Sequence, residues 1–298
     1  MPKNIDRFID PKVLIRIQNM ELLARTVVEG FVTGLHQSPY LGFSVDFAEY
    51  RQYQPGDEIR RIDWNVYGRS DKLFVKLYEG ETNTRVLVLL DMSGSMSYGS
   101  GELKKSDYAK MLASCLTYFA YHQRDAVGIL TFDEGVRAHI PASRRTGQLH
   151  TLLHQIESAV PAKGTEFKKP LNFLAEVLSR RGIIILISDF YAEPANILAG
   201  LKILKAKGND IMTFHLMDDF ELTFPFEDMA QFEDLETRDK LHVIPEYLRT
   251  QYLNVVENHI ATLRKGMSSV GIDYTLMNTS KPLDAGLFSY LAARAHTL

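Results

Sequence analysis

The pattern of hydrophobic and polar positions changes at about residue 84. Before that point, residues 12–35 have apolar side chains at helical spacing and no proline, which predicts a helix. Residues 43–47 and 73–77 alternate apolar and polar positions, as strands with one buried face do, and Pro55-Gly56-Asp57 between them predicts a turn. We therefore expect residues 1–84 to form an N-terminal segment of one helix followed by strands.

After residue 84, short uninterrupted apolar runs alternate with amphipathic segments. The predicted strands are residues 85–90, 125–132, 136–140, 182–188, 210–217 and 274–277. The predicted helices are residues 106–122, 146–158, 168–180, 194–207, 246–265 and 283–296, and a hairpin-rich excursion is expected at about 220–244. Such alternation predicts an α/β domain over residues 85–298, with a mainly parallel sheet and helices on both faces.

Composition narrows the class of protein. The 298 residues are 45% hydrophobic and 24% charged with a net charge of -3, which is typical of a folded globular protein and gives no support to nucleic-acid binding. The apolar runs are far shorter than the roughly 20 residues of a membrane span, and the first residues contain no secretory signal. Cys115 has no second cysteine to pair with, so a reducing, cytoplasmic location is expected.

Oxygen-bearing side chains follow the predicted strands where ligands bind in open parallel sheets. Asp91, Ser93 and Ser95 end the first strand, Thr165 precedes a predicted helix, and Asp189 ends the third buried strand. Two carboxylates and three hydroxyls, without thiolate or imidazole, suit Mg²⁺, Mn²⁺ or Ca²⁺ and do not suit zinc. Loop or helix-capping roles for the Asp and Ser residues, or a site that holds no metal, are the alternatives.

These five residues, in this order, resemble the complete metal-ion-dependent adhesion site of von Willebrand factor A-like domains, which have a Rossmann-like α/β fold. The preceding segment resembles the signature of the bacterial family called domain of unknown function 58, through Tyr53-x-x-Gly56-Asp57-x-x-Arg60-x-Ile62-Asp63-Trp64. The resemblance implies that Ser93, Ser95 and Thr165 bind the metal through their hydroxyls, while Asp91 and Asp189 act directly or through water. It also implies that a partner supplies an Asp or Glu carboxylate, and that the partner is a MoxR-type AAA+ ATPase.

The leading functional hypothesis is a metal-dependent adaptor that works with such an ATPase on a client protein. The alternative is a metal-dependent hydrolase or phosphatase that uses the same cleft. Against it, the Asp91-Met92-Ser93 sequence lacks the second Asp of a D-x-D phosphatase motif, and the chain has neither a G-x-S-x-G elbow nor a phosphate-binding P-loop. A purely structural protein would leave the five-residue set unexplained.

Three other features of the sequence lie outside the five-residue set. Trp64, with Arg60 or Asp63 in an ion pair, is expected to anchor the N-terminal segment to the α/β domain rather than to bind a ligand. Glu166 follows Thr165 directly, and the sequence leaves open whether it binds the metal. Cys115 lies on an apolar helix stripe, so a core position is expected for it rather than a nucleophilic role.

Overall fold

The structure is a computed structural model. It describes residues 10–17, 19–36, 49–52, 74–77, 84–162, 164–227, 230–235 and 239–295. The chain divides into two compact units, Met1–Glu29 with Thr84–Leu298 and Gly30–Asn83. The predicted strand at 43–47 and the signature that ends at Trp64, with Arg60 and Asp63, lie outside the described residues. The anchoring role expected for Trp64 stays a prediction.

The described helices and strands follow the predicted order closely. The helices are α1 (Pro11–Leu14), α2 (Met20–His36), α3 (Lys105–His122), α4 (Gln148–Ser158), α5 (Lys168–Val177), α6 (Pro194–Ala206), α7 (Asp219–Thr223), α8 (Pro245–Ser268) and α9 (Asp284–Ala295). The strands are β1 (Glu49–Gln52), β2 (Phe74–Leu77), β3 (Arg85–Asp91), β4 (Ala126–Phe132), β5 (Val136–Ser143), β6 (Ile183–Ser188), β7 (Asp210–Met217), β8 (Ala230–Glu233), β9 (Lys240–Val243) and β10 (Asp273–Asn278).

The central sheet has six strands in the order β10-β7-β6-β3-β4-β5. Neighbouring strands are parallel except β4 and β5, which are antiparallel. The predicted mainly parallel α/β sheet is therefore confirmed. Two separate antiparallel pairs, β1 with β2 and β8 with β9, are described besides it, and the second pair lies in the excursion expected at about 220–244.

Helices pack on both faces of this sheet. Alternate residues of β3, such as Leu87 and Leu89, belong to one buried cluster with residues of α5, α6 and α8. The intervening residues, such as Val86 and Val88, point to the opposite face because side chains alternate along a strand, and on that face α3 packs against β3, α4 and α9. Cys115 of α3 is fully buried there, which confirms its core position. The carboxyl ends of the strands remain as the edge where a site can form.

The N-terminal helix is interrupted, contrary to the single helix predicted for residues 12–35. Helix α1 ends at Leu14, and α2 begins at Met20. Asn19 explains the new start, because its side-chain Oδ1 accepts a hydrogen bond from the Leu22 backbone N–H at 2.9 Å, as an N-cap residue does. No helix within the described part of the chain has the length and apolar character needed to cross a membrane.

Candidate metal centre

Asp91 is the last residue of β3 and is fully buried. Its Oδ1 accepts a hydrogen bond from the Ser93 backbone N–H at 2.9 Å, and its Oδ2 accepts one from the Ser188 hydroxyl at 2.5 Å. Ser188 ends β6, the parallel neighbour of β3, so the adjacent strand ends place these two side chains together. The carboxylate is therefore held in one orientation from both sides.

The electrostatic environment of Asp91 is unfavourable to its own charge. Burial, and after it the negative charge of Asp189, raise the pKa of this carboxyl to about 7, and the hydrogen bonds from Ser188 and Ser93 only partly oppose the shift. Two buried carboxylates repel each other when both are ionised, and a nearby cation reduces that repulsion. A cation at this edge of the sheet would relieve that repulsion.

Ser93 and Ser95 present two hydroxyls side by side. Ser93 is fully buried and precedes a short 3-10 helix (Gly94–Ser97), whose tight turn brings the two side chains together. Their Oγ atoms are 3.2 Å apart. Two oxygens on adjacent positions of one Mg²⁺ ion lie about 3 Å apart, given Mg–O distances of about 2.0 to 2.1 Å. The spacing of the hydroxyls therefore fits a hard divalent cation.

The loop that contains Thr165 reaches the same edge of the sheet. The Ala162 N–H donates to the Met92 carbonyl at 3.0 Å, and the Glu166 N–H donates to the Asp133 carbonyl at 3.2 Å. Thr165 is thus held in a loop anchored beside the ends of β3 and β4. The Glu166 carboxylate, whose role the sequence left open, forms an exposed ion pair with Lys169 Nζ at 2.6 Å.

Asp189 follows β6 and is also fully buried, but its main partner was not foreseen. Its Oδ2 accepts a hydrogen bond from Lys105 Nζ at 2.8 Å, and its Oδ1 accepts a longer one from the Tyr191 N–H at 3.4 Å. The Lys105 side chain has no exposed surface, and its Nζ lies 4.5 Å from the centre of the Tyr191 ring. Burial alone would lower the pKa of Lys105, but the carboxylates of Asp189 and Glu221 outweigh it and raise that pKa.

Glu221 is the second partner of Lys105. Its Oε1 accepts from Lys105 Nζ at 2.8 Å, while its Oε2 accepts from the Asp218 backbone N–H at 2.8 Å. Burial raises the pKa of Glu221, and the ammonium of Lys105 works in the opposite direction. Asp218 in turn accepts from the Ser100 N–H at 3.0 Å, so the start of α7 is tied to the loop before α3.

The oxygen-bearing side chains at this edge are hydroxyls and carboxylates. Throughout the described ranges, no group of three or more His, Cys, Asp or Glu side chains is arranged to hold a metal ion. Hydroxyl and carboxylate oxygens are donors that Mg²⁺ accepts, so the residues present fit that ion, and metal binding here stays a prediction. The structure brings Asp91, Ser93, Ser95 and Asp189 to one edge, with the Thr165 loop beside them.

The chain matches several solved structures at low sequence identity. An aerotolerance-related membrane protein from Bacteroides fragilis is 16% identical with a TM-score of 0.51, and the match covers 71% of this chain and 99% of that one. BatB, a hypothetical protein from Bacteroides thetaiotaomicron, is 16% identical with a TM-score of 0.48, covering 72% and 100%. The SpRpn10 VWA domain is 12% identical with a TM-score of 0.44, covering 70% and 94%. The first of these likenesses shows a shared fold.

Relatives among curated proteins are mycobacterial. The chain is 24% identical over 293 residues to the uncharacterized protein Rv1480 of Mycobacterium tuberculosis, which covers 96% of this chain and 90% of the relative. The uncharacterized protein Mb1516 of Mycobacterium bovis matches to the same extent. Residues 49–262 match the family described as protein of unknown function DUF58. Because this match spans more than half of the sequence, the chain belongs to the DUF58 family.

Proposed function

We propose that this protein is a metal-dependent protein-interaction module, an adaptor that binds its partner through a divalent cation. The observation that supports it best is the pair of hydroxyls of Ser93 and Ser95, 3.2 Å apart, beside the buried carboxylates of Asp91 and Asp189. Mg²⁺ is the proposed cation, with Mn²⁺ or Ca²⁺ as substitutes, and Thr165 is the remaining proposed ligand. When bound, the cation would supply an electrophilic position for a carboxylate oxygen.

The protein's own residues have distinct roles in this proposal. The hydroxyls of Ser93, Ser95 and Thr165 would bind the cation but add no negative charge. Asp91 is already fixed by the hydrogen bonds from Ser93 and Ser188, so it would balance charge without reorganising. Because neutral hydroxyls donate weakly, an Asp or Glu carboxylate from a partner would gain a charge-assisted contact there.

The proposed partner is a MoxR-type AAA+ ATPase, with the chain acting in the assembly or maturation of a client protein. The family resemblance supports this partner, and the geometry of the cation site supports the mode of binding. Membership of the DUF58 family is consistent with this partner.

The test is capture of a purified MoxR-type ATPase from the same organism by wild-type protein, with Mg²⁺ or with EDTA. Ser93→Ala should fold normally by circular dichroism and lose Mg²⁺-dependent capture, because it removes a hydroxyl ligand. Ser97→Ala, in the 3-10 helix that follows Ser93 but outside the proposed ligand set, is the matched control and should capture like wild type. Equal capture by Ser93→Ala, with no effect of EDTA, would refute the proposal. Turnover of a generic phosphoester by wild type would favour the hydrolase alternative instead.

A further inference from the structure

Lys105 is the feature of this edge that the proposed function does not use. It is the first residue of α3, and the side chains of Lys105 and Asp189 both have no exposed surface. A positive side chain at the start of a helix is unfavourable to the helix dipole, and its burial removes the hydration of the ammonium. Two carboxylates at 2.8 Å, from Asp189 and Glu221, compensate for both costs.

Stability alone gives a weak reason for such an arrangement. Buried ion pairs are often no more stabilising than apolar residues of similar volume, because desolvation of the charges offsets their attraction. The arrangement here also places the ammonium directly on Asp189, one of the two buried carboxylates proposed to hold the cation. Lys105 and a divalent cation would therefore be drawn to the same negative charge.

We propose that Lys105 is a built-in counter-ion that competes with the divalent cation for Asp189 and so keeps the cation affinity of the protein alone low. This inference rests on the proposed function. Without Lys105, Asp91, Asp189 and Glu221 would give the edge three carboxylates and no internal cation. With it, a positive charge lies 2.8 Å from an Asp189 oxygen and repels a second cation in a region where burial weakens screening by water.

Glu221 is a positioning residue in this scheme. One of its oxygens is held by the Asp218 N–H and the other accepts from Lys105, so Glu221 holds the ammonium from the side opposite Asp189. Among the described residues, loss of the Glu221 charge would leave Asp189 as the one acidic hydrogen-bond partner of Lys105, and Lys105 would then bind Asp189 more strongly. Variants at the two positions should therefore change cation affinity in opposite directions.

A consequence for partner binding follows from the competition. A cation held weakly by the protein alone would be retained better when a partner's carboxylate adds a further negative ligand. Cation binding and partner binding would then strengthen each other, as linked equilibria require. Lys105 would make this protein bind its partner and the cation together rather than hold the cation permanently.

The experiment is calorimetric titration of cation-free protein with Mg²⁺, and with Mn²⁺ as a tighter-binding probe. Lys105→Met should bind at least about tenfold more tightly than wild type, because a nearby positive charge is removed. Glu221→Gln should bind more weakly than wild type. Lys110→Met, the same change at a half-exposed lysine of α3 that bonds the Glu157 carbonyl, is the control and should bind like wild type.

A merely structural role for Lys105 predicts a different result. Disruption of the site would weaken cation binding in both Lys105→Met and Glu221→Gln, whereas the proposal requires opposite signs. If Lys105→Met fails to fold, Lys105→Met with Glu221→Gln removes the uncompensated carboxylate as well, and this double variant should still bind more tightly than wild type. Circular dichroism and thermal unfolding with and without Mg²⁺ report the folded state independently of any partner.

The outcomes separate this inference from the proposed function. Tighter binding by a folded Lys105 variant, abolished by adding Ser93→Ala, supports the inference even if wild type binds too weakly to measure. If wild type binds the cation as tightly as the folded Lys105 variants, or more tightly, the inference is overturned and the proposed metal site still stands. Absence of cation binding in wild type and in every folded Lys105 variant overturns the proposed function, and the inference falls with it.

Discussion

Replacement of Asp91 by Asn should stabilise the cation-free protein at neutral and higher pH. The Asp91 side chain is fully buried, and burial followed by repulsion from Asp189 raises its pKa from 3.8 to about 7. Asn has nearly the same shape, and its carbonyl oxygen can still accept from the Ser93 N–H. The substitution therefore removes a buried charge while keeping most of the packing.

The sign and size of the effect follow from the pKa of Asp91. Because the folded-state pKa exceeds the unfolded value, the folded protein binds more protons than the unfolded chain between about pH 4 and pH 7. The free energy of unfolding therefore falls as pH rises through that window. A shift from 3.8 to about 7, at about 1.4 kcal/mol per pKa unit, makes the loss about 4 kcal/mol above pH 7 and close to zero below pH 4. Asp91→Asn has no carboxyl to ionise at this position, so its free energy of unfolding should not fall in this way.

Urea unfolding followed by circular dichroism, in EDTA at several values from about pH 4 to about pH 8, measures the difference between variant and wild type. That difference should grow with pH and level off above about pH 7. Asp133→Asn is the matched control at the end of β4, where the buried Asp133 carboxylate accepts from Arg137 Nε at 2.6 Å. This control should be destabilised, because it breaks a charge-assisted bond. A difference for Asp91→Asn that stays constant or shrinks as pH rises would refute the reasoning.

Three further predictions concern residues outside the proposed ligand set. Burial lowers the pKa of His215 to about 3, so its contribution to stability is present above about pH 6.5 and is lost as pH falls toward 3. His215→Phe should remove this pH dependence, whose direction is opposite to that of Asp91. Urea unfolding of wild type and variant at several pH values measures the difference. Cys115 should not react with a thiol reagent in the folded protein, because the side chain is fully buried and burial raises its pKa; rapid labelling in native buffer would contradict this. Asn19→Ala should lower the free energy of unfolding by about 1 kcal/mol, since it removes the N-cap of α2, and an unchanged urea midpoint would argue against the cap.

The sheet was predictable because buried parallel strands leave a strong signal. The apolar runs before Asp91 and Asp189 contain no alternation, and the structure pairs these two strands directly as parallel neighbours. Adjacent parallel strands end at the same edge, so the closeness of the two carboxylates followed from the strand assignment. A tight turn after β3 then brings the hydroxyls of Ser93 and Ser95 to the same edge.

The start of α2 and the burial of Lys105 could not be predicted from the sequence. Apolar positions keep helical spacing on both sides of Asn19, so periodicity alone cannot show where α2 begins. The burial of Lys105 was missed because lysine is ordinarily an exposed residue, and because its partners Asp189 and Glu221 are far from it along the chain. Two weak signals existed: a lysine at a helix start opposes the helix dipole, and Asp218-x-x-Glu221 has the spacing of a capping box.

The charges at the edge connect stability with cation binding. Asp91 is costly to ionise in the folded protein, and Lys105 offsets part of the negative charge through Asp189 rather than through Asp91. Any ligand that binds only the folded state stabilises it by an amount set by its concentration and affinity. A divalent cation at the proposed site would therefore recover the stability that Asp91 loses by ionising, and the gain should be largest above pH 7. The same buried charge on Asp91 that destabilises the cation-free protein would therefore favour binding of the cation.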